Sequence, residues 1–146
     1  MAEALVLIVA ATVVRRVSPM PKWQGLLGRS RSVRDIPQPL DATRLRRPDE
    51  PKELDVYRSV RAAASRLPYD PRCLDRATAG QLMLRRRKHP GVVVIGLAKP
   101  SAEDLQESER WKAHAWLVGR SGAVTGGREA VGFVATSCFI PPELAR

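Results

Sequence analysis

The segment between Gly91 and Ala98 places the strongest constraint on the fold, because its body is the unbroken apolar run Val-Val-Val-Ile-Gly-Leu-Ala. A β-branched run without polar alternation is typical of a strand with both faces covered. We therefore predict that this strand lies in the middle of a sheet. Further strands are predicted at 111–118, 123–125 and 131–137, with residues 119–122 (Gly-Arg-Ser-Gly) as a hairpin turn.

Three helices are predicted before the sheet, at about 2–17, 52–67 and 71–88. The second carries an apolar stripe at helical spacing, formed by Leu54, Tyr57, Ala64 and Leu67. Helices followed by strands that return through tight turns indicate an α+β fold class, with the helices packed on a small antiparallel sheet.

The first helix is apolar nearly all round, and such a helix is either buried or covered by something else. Its uncharged run, Ala4–Val14, is shorter than the about 20 residues that span a bilayer. Two arginines follow the run, whereas a secretory signal carries its positive charge before it. Membrane-surface contact is the less favoured alternative, because the segment lacks a polar face.

The chain has 146 residues, which fits one domain with a modest core. We divide it into residues 1–51, with the apolar helix, a turn around Trp23 and a proline-rich linker, and residues 52–146, which form the core. Residues 29–51 are interpreted as an extended surface linker. The acidic residues 100–110 are interpreted as a surface loop or short helix.

The net charge of +10 suits an acidic peptide or protein partner as well as a nucleic acid. Aromatic residues make up only 5% of the chain, and nucleic-acid binders usually need such residues for base stacking. We therefore expect no nucleic acid as partner. The two cysteines are too few for a disulfide scaffold and indicate reduced thiols in a cytoplasmic protein.

Cys73 is a candidate nucleophile. Asp70 and Pro71 are predicted to cap and begin the third helix, which places Cys73 in its first turn. The free N–H groups and the dipole of a helix start stabilise a thiolate and can hold the oxyanion of an acyl intermediate. Ala77 and Gly80 keep this helix face small, so that it can approach a strand. A small buried thiol is the alternative.

His114 lies in the predicted strand 111–118, where alternation puts it on the same side as Trp116. Histidine is the side chain best suited to take the proton of a thiol near neutral pH. A packed, hydrogen-bonded histidine is the alternative. The spacing alone leaves the pairing of Cys73 with His114 open.

The other cysteine and histidine have simpler interpretations. Cys138 has no helix start before it and is predicted to lie in the core. His89 is predicted to cap the end of the third helix. These residues show no metal-ligand spacing together with Cys73 and His114, so we expect neither a metal nor a cofactor.

Three segments carry a family resemblance: Pro71–Arg87, with its Cys-Leu pair and closing arginines, Val94–Ala98, and Ala113–Val118, with its His-Ala-Trp sequence. They resemble the lasso-peptide leader peptidases, stand-alone members of the transglutaminase-like, papain-related cysteine protease superfamily. The apolar N-terminal helix, the turn Pro21–Trp23 and the helix end at Leu67-Pro68 also match the layout of that family, so the resemblance covers nearly the whole chain and implies a transglutaminase-like fold.

The resemblance also implies a function. Such a peptidase removes the leader from a ribosomally made lasso precursor peptide before macrolactam closure, with Cys73 as nucleophile and His114 as general base and acid. The expected partners are the precursor peptide, a separate PqqD-like leader-recognition protein, and an asparagine-synthetase-like macrolactam synthetase. The apolar first helix and the basic surface are candidate docking surfaces.

The chain departs from the family at the residue that orients the histidine, which is usually an Asp further along the chain. Gly126 or Gly127 occupies that slot. In the predicted hairpin His114 lies opposite Gly127. Glu129 follows on the same face at the diagonal spacing of a strand pair, about 7–8 Å. We therefore name Glu129 as the candidate third catalytic residue.

Two other ways of orienting the imidazole stay open: a backbone carbonyl, and a carboxylate from elsewhere such as Asp70 or Asp75. The missing Asp also supports a second function, that of a catalytically impaired scaffold or peptide-binding protein. A basic nucleic-acid binder is the third interpretation.

Overall fold

The computed structural model describes residues 1–17, 25, 27–98 and 112–144. These residues have the α+β fold that the sequence predicts. The helices are α1 (Ala2–Val17), α2 (Pro51–Arg66) and α3 (Cys73–Arg86). The strands are β1 (Arg29–Ser32), β2 (Val92–Ala98), β3 (Lys112–Val118), β4 (Ala123–Thr125) and β5 (Val134–Ile140), and a 3₁₀ turn covers Val33–Asp35. The turn predicted around Trp23 and the loop predicted at 100–110 lie outside the described residues.

The sheet is antiparallel, with the strand order β1-β5-β2-β3-β4. β2 pairs with β3 on one side and with β5 on the other, which confirms the predicted central strand. Val93 belongs to the core on one face of the sheet, and its neighbours Val92 and Val94 belong to the core on the other. Both faces of β2 are therefore covered, as its unbroken apolar run requires.

The two faces of the sheet are covered in different ways. On one face the three helices pack against alternate strand residues, with Val56 and Leu117 in the shared core. On the other face Trp116 is buried together with Leu40 and Ala42, from the segment before α2. The Trp116 indole donates a hydrogen bond to the Ala42 carbonyl at 3.1 Å, which ties this segment to the sheet.

The segment 29–51 differs from the predicted surface linker in two places. Its start forms the edge strand β1, which pairs with β5 although all of its residues are exposed. Further along, Leu40 and Ala42 are buried. The physical reason is that a sheet with apolar residues on both faces needs cover on the side without helices.

β5 spans Val134–Ile140 rather than the predicted 131–137. The residues before it form turns, with hydrogen bonds from the Ala130 N–H to the Gly126 carbonyl (3.1 Å) and from the Phe133 N–H to the Ala130 carbonyl (3.0 Å). These bonds use backbone groups that a strand would pair with its neighbours, so the strand begins later.

Helix α1 has the predicted bounds, but only one of its sides is buried. Ala4, Ile8 and Thr12 lie in the interior. Four valines remain between 39% and 74% exposed: Val6, Val9, Val13 and Val17. The prediction of a buried or covered helix therefore holds for one side, and the other side is an apolar stripe open to solvent. None of the described helices is long and apolar enough to cross a membrane.

Candidate active site

Helix α3 begins at Cys73 itself rather than at Pro71. Arg72 is the N-cap residue, and its N–H donates to the Asp75 carboxylate at 3.2 Å. The predicted cap, Asp70, is therefore wrong, because a carboxylate in the first turn of the helix reaches back to the cap N–H instead. Cys73 occupies the first helical position, where backbone N–H groups have no acceptor within the helix.

Asp75 also joins α3 to α1. Its side chain is 1% exposed and accepts hydrogen bonds from Thr12 Oγ1 (3.2 Å) and Arg15 Nε (2.8 Å). The hydrogen bond to Asp75 raises the pKa of Arg15, and burial opposes this effect. α1 therefore fixes the end of α3 that carries Cys73.

The structure brings Cys73 and His114 together. The half-buried Cys73 thiol has hydrogen bonds with the His114 imidazole and with the backbone N–H groups of Ala115, 3.4 Å from Sγ, and Leu74. Burial is the largest influence on this thiol and acts to raise its pKa. The three hydrogen bonds together with the charge of His114 outweigh burial, so the pKa of Cys73 lies below its ordinary value. More of the thiol is then in the thiolate form that attacks a carbonyl carbon.

The pKa of His114 moves in the opposite direction. Its hydrogen bond with Cys73 is the largest influence and raises the pKa, burial lowers it, and the Gly126 carbonyl raises it again. A lowered thiol pKa beside a raised imidazole pKa brings the two groups closer to sharing the proton, which increases the share of the thiolate–imidazolium pair relative to an isolated thiol and imidazole. This arrangement has the chemistry that a nucleophile and a proton carrier would need.

The backbone carbonyl of Gly126 orients the imidazole. Its oxygen lies 2.9 Å from His114 Nε2, and because a carbonyl oxygen only accepts, Nε2 carries a proton and donates it. In the neutral ring this leaves Nδ1 as the nitrogen that takes the Cys73 proton. The rings of Trp116 and Phe133 pack against the imidazole, with centroids 5.9 Å and 5.3 Å away.

Glu129, the predicted third catalytic residue, is exposed. Its negative charge is the last and smallest influence on the raised pKa of His114, after the hydrogen bond with Cys73 and the others. Among the residues that the structure describes, the Gly126 carbonyl is the group bonded to Nε2. The catalytic role of Glu129 stays a prediction.

The two alternative carboxylates are engaged elsewhere. Asp70 forms an exposed ion pair with Arg76, at 2.6 Å. Asp75 forms the buried pair with Arg15, at 2.8 Å. Of the alternatives that the sequence leaves open, a backbone carbonyl is therefore the one that the structure places against the imidazole.

The hairpin between β3 and β4 explains why Gly126 has this place. The first pair after the turn is as predicted, but a β-bulge next to Val118 shifts the following partner to Thr125. β4 ends there, and the chain turns at Gly126, whose φ is +67°. Gly126 rather than Gly127 therefore lies against His114, so the predicted register is wrong beyond its first pair.

The sequence indicates backbone groups at this site in general terms but does not identify the Ala115 N–H or the Gly126 carbonyl. Residue identity carries no signal for such groups. The one available signal is the Gly-Gly pair, which marks a sharp turn at the end of a strand.

Cys138 and His89 lie away from this site. Cys138 is buried in β5, and burial raises its pKa to about 11, which confirms a core cysteine. The backbone N–H of His89 bonds to the end of α3. Its buried ring lies between two carboxylates, with Nε2 3.1 Å from Glu53 Oε1 and Nδ1 3.5 Å from Glu50 Oε1. The side chain therefore differs from the predicted helix cap. The Glu53 carboxylate also accepts from Ser121 Oγ (2.6 Å), so this cluster braces the β3–β4 turn.

Comparison with known proteins agrees with the fold. A family model described as the transglutaminase-like superfamily matches residues 4–136. That superfamily generally includes cysteine peptidases and acyltransferases. No curated protein and no solved structure matches the chain significantly.

Proposed function

Because the chain belongs to the transglutaminase-like superfamily, we propose that it is a cysteine peptidase that removes the leader from a lasso precursor peptide before macrolactam closure. One observation carries the proposal: the thiol of Cys73 and the imidazole of His114 are hydrogen-bonded, and their pKa values shift in opposite directions. This is the electrostatic arrangement that a thiol nucleophile and its proton carrier need.

The reaction follows from the geometry. The Cys73 proton passes to His114, and the thiolate attacks the scissile carbonyl carbon to form a tetrahedral oxyanion, which the free N–H groups at the start of α3 stabilise. The imidazolium then gives its proton to the leaving amine as the C–N bond breaks. A water molecule, deprotonated by His114, hydrolyses the thioester and regenerates the thiol. The Gly126 carbonyl keeps the ring in the orientation for both transfers.

The proposed partners have candidate docking surfaces on this chain. The PqqD-like protein brings the precursor peptide, and the synthetase closes the ring after the leader has left. The apolar stripe of α1, with Val6 at 65% and Val13 at 51% exposure, is an unpaired surface of the kind that protein partners cover.

Leader release tests the proposal directly. The protein is incubated with the precursor peptide and its PqqD-like partner, and the products are identified by mass spectrometry. Cys73→Ala is expected to abolish release, whereas Cys138→Ala, at the buried thiol, is expected to retain it. Full cleavage by Cys73→Ala would overturn the assignment of the nucleophile.

One observation favours the second candidate function, a catalytically impaired scaffold or peptide-binding protein. In the described part of the chain, His114 Nε2 bonds to a carbonyl rather than to a carboxylate. A carbonyl fixes the tautomer but adds no negative charge to stabilise the imidazolium. The opposed pKa shifts of Cys73 and His114 support the peptidase more strongly, since a scaffold has no use for them.

A further inference from the structure

A groove of about 730 Å³ opens beside the candidate active site. Its lining includes residues of α2 between Tyr57 and Ser65 and the segment Thr125–Glu129 that follows from β4. The groove reaches the active site at Gly126, whose carbonyl oxygen is 2.9 Å from His114 Nε2. A ligand in the groove therefore lies next to the group that orients the imidazole.

The groove carries an excess of positive charge. Four arginines line it: Arg47, Arg61, Arg76 and Arg128. Its carboxylates are Asp70 and Glu129, and Asp70 is already paired with Arg76 at 2.6 Å. The other three arginines form no ion pair with any residue that the structure describes. The groove is therefore suited to a ligand with several negative charges.

Tyr57 holds two of these arginines in place. The guanidinium of Arg47 lies 5.5 Å from the centre of the Tyr57 ring, and that of Arg61 lies 5.3 Å from it. Arg61 also donates a hydrogen bond to the Tyr57 hydroxyl at 2.9 Å. Guanidinium groups that are already positioned lose less conformational freedom when they bind a carboxylate.

Two residues of the lining have a buried polar atom without a hydrogen-bond partner in the described part of the chain. Thr125 is 5% exposed, and its hydroxyl has no hydrogen-bond partner among the described residues. The buried Nε of Arg76 also lacks one there. Such atoms are rare in folded proteins because they lose their water without gaining a new bond. Both atoms are covered by neighbouring groups, so the case for a ligand rests on the arginines that line the groove.

We propose that this groove binds an acidic segment of the peptide on which Cys73 and His114 act, an inference that rests on the proposed peptidase function. The carboxylates of the segment pair with the three arginines that lack an ion pair, in the fork geometry that guanidinium favours. A nucleic acid fits less well, because Glu129 interrupts the positive lining and the Tyr57 ring is already covered by guanidinium groups rather than free to stack on a base.

Binding to a protein that cannot cleave separates this proposal from the peptidase proposal. The Cys73→Ala protein is titrated against three fluorescein-labelled probes: a ten-residue peptide rich in Glu and Asp, the same peptide with Gln and Asn in their place, and a single-stranded DNA of ten nucleotides. Fluorescence anisotropy gives each affinity. The variants are the double variant Arg61→Gln/Arg128→Gln, the single variant Arg128→Gln in case the loss of Arg61 perturbs the fold, and a control, Arg31→Gln/Arg34→Gln, at exposed arginines outside the groove.

The acidic peptide is expected to bind at least about tenfold more tightly than the neutral peptide. Most of this preference is expected to be lost in the double variant and part of it in Arg128→Gln. The control is expected to retain all of it. Equal affinity for the two peptides overturns the proposal. An equal loss of the preference in the control also overturns the proposal, because it assigns the binding to overall charge. Tighter binding of the DNA, with the same dependence on Arg61 and Arg128, overturns it as well. Tight, groove-dependent binding of the acidic peptide supports the proposed binding groove even if the wild-type protein releases no leader. The absence of leader release would contradict the peptidase proposal alone.

Discussion

At the scale of single residues, the state of Cys73 depends on a balance between burial and hydrogen bonding. Burial alone makes a thiol less acidic, and the imidazole of His114 together with the N–H groups of Leu74 and Ala115 reverses that effect. The same thiol without these partners would be inert. The chain supplies its own comparison, because Cys138 is buried and has its pKa raised to about 11.

Alkylation measures this balance. With iodoacetamide, Cys73 is expected to react with a pH midpoint below the about 8.5 of a free thiol, because its lowered pKa leaves thiolate present at lower pH. His114→Ala removes the largest of the opposing influences and is expected to move the midpoint upward. Cys138 is expected to react little across the neutral range. Mass spectrometry assigns the labels, and equal pH profiles for Cys73 and a free thiol would favour the scaffold over the peptidase.

The Gly126 carbonyl is tested by a pair of glycine substitutions. A Cβ at Gly126 would lie 3.1 Å from His114 Nε2 and 3.0 Å from the Ala115 carbonyl oxygen, so Gly126→Ala displaces the imidazole or the turn. The matched control is Gly132→Ala, since Gly132 also has positive φ (+92°) but nothing within 4 Å of its Cβ. Both variants are expected to lose about 1 kcal/mol of unfolding free energy from the backbone conformation.

Only Gly126→Ala is expected to lower kcat, by about tenfold to a hundredfold, because a small displacement of a catalytic group has a large effect on rate. The measurement combines urea unfolding with the initial rate of leader release. Equal rates for the two variants would show that the Gly126 carbonyl does not hold the imidazole.

At the scale of elements, one buried carboxylate joins two helices at the candidate active site. Asp75 accepts hydrogen bonds from Thr12 and Arg15 on α1 and from the N–H of Arg72 at the start of α3. The helix dipole further stabilises the negative charge of Asp75, since the start of a helix favours negative charge. The position of the Cys73 backbone therefore depends on α1, although α1 contributes no side chain to the pair formed by Cys73 and His114.

Asp75→Asn is expected to lower the unfolding free energy by about 3 kcal/mol, because it removes one partner of a largely buried ion pair and leaves Arg15 without its counter-charge. The control is Asp70→Asn. Its ion pair with Arg76 involves a carboxylate side chain that is 91% exposed, and such surface pairs contribute less than about 1 kcal/mol. Urea unfolding of both variants gives the comparison, and similar small losses would contradict the bracing role of Asp75.

At the scale of the whole molecule, the sequence predicts the helices and the apolar central strand well, whereas it does not predict the edge strand β1. The helix bounds of α1 and the central strand β2 follow from runs whose burial is the main source of their stability. β1 has the sequence Arg-Ser-Arg-Ser and no apolar pattern. It forms because β5 would otherwise be an open edge of the sheet. This reason lies in the assembled sheet, so the sequence of the segment alone does not show it.

The candidate site is likewise only partly predictable from the sequence. The sequence indicates Cys73 and His114 through residue type and placement on a helix and a strand. The group that holds the imidazole is a carbonyl, and it reaches the ring because a β-bulge shifts the register after Val118. A bulge changes which backbone atoms face a side chain without any change in the polar pattern, so reading the hairpin as regular leads to Glu129 instead.

The exposed stripe of α1 is apolar surface that the described part of the fold leaves uncovered. Val6→Gln/Val13→Gln is expected to weaken binding of the PqqD-like partner by at least about tenfold, because both side chains are more than half exposed here and would be buried in a complex. Thermal stability is expected to stay nearly unchanged, since neither side chain lies in the core.

The control for this prediction is Val131→Gln/Val134→Gln, at valines that are 71% and 69% exposed outside α1. It removes at least as much exposed apolar surface, so a non-specific loss of hydrophobic association would appear in both variants. Analytical ultracentrifugation, with and without the partner, measures binding and self-association in one experiment. Equal weakening in the control would contradict docking on α1. Self-association of the wild-type protein that disappears only in Val6→Gln/Val13→Gln would assign the stripe to a second copy of the chain instead.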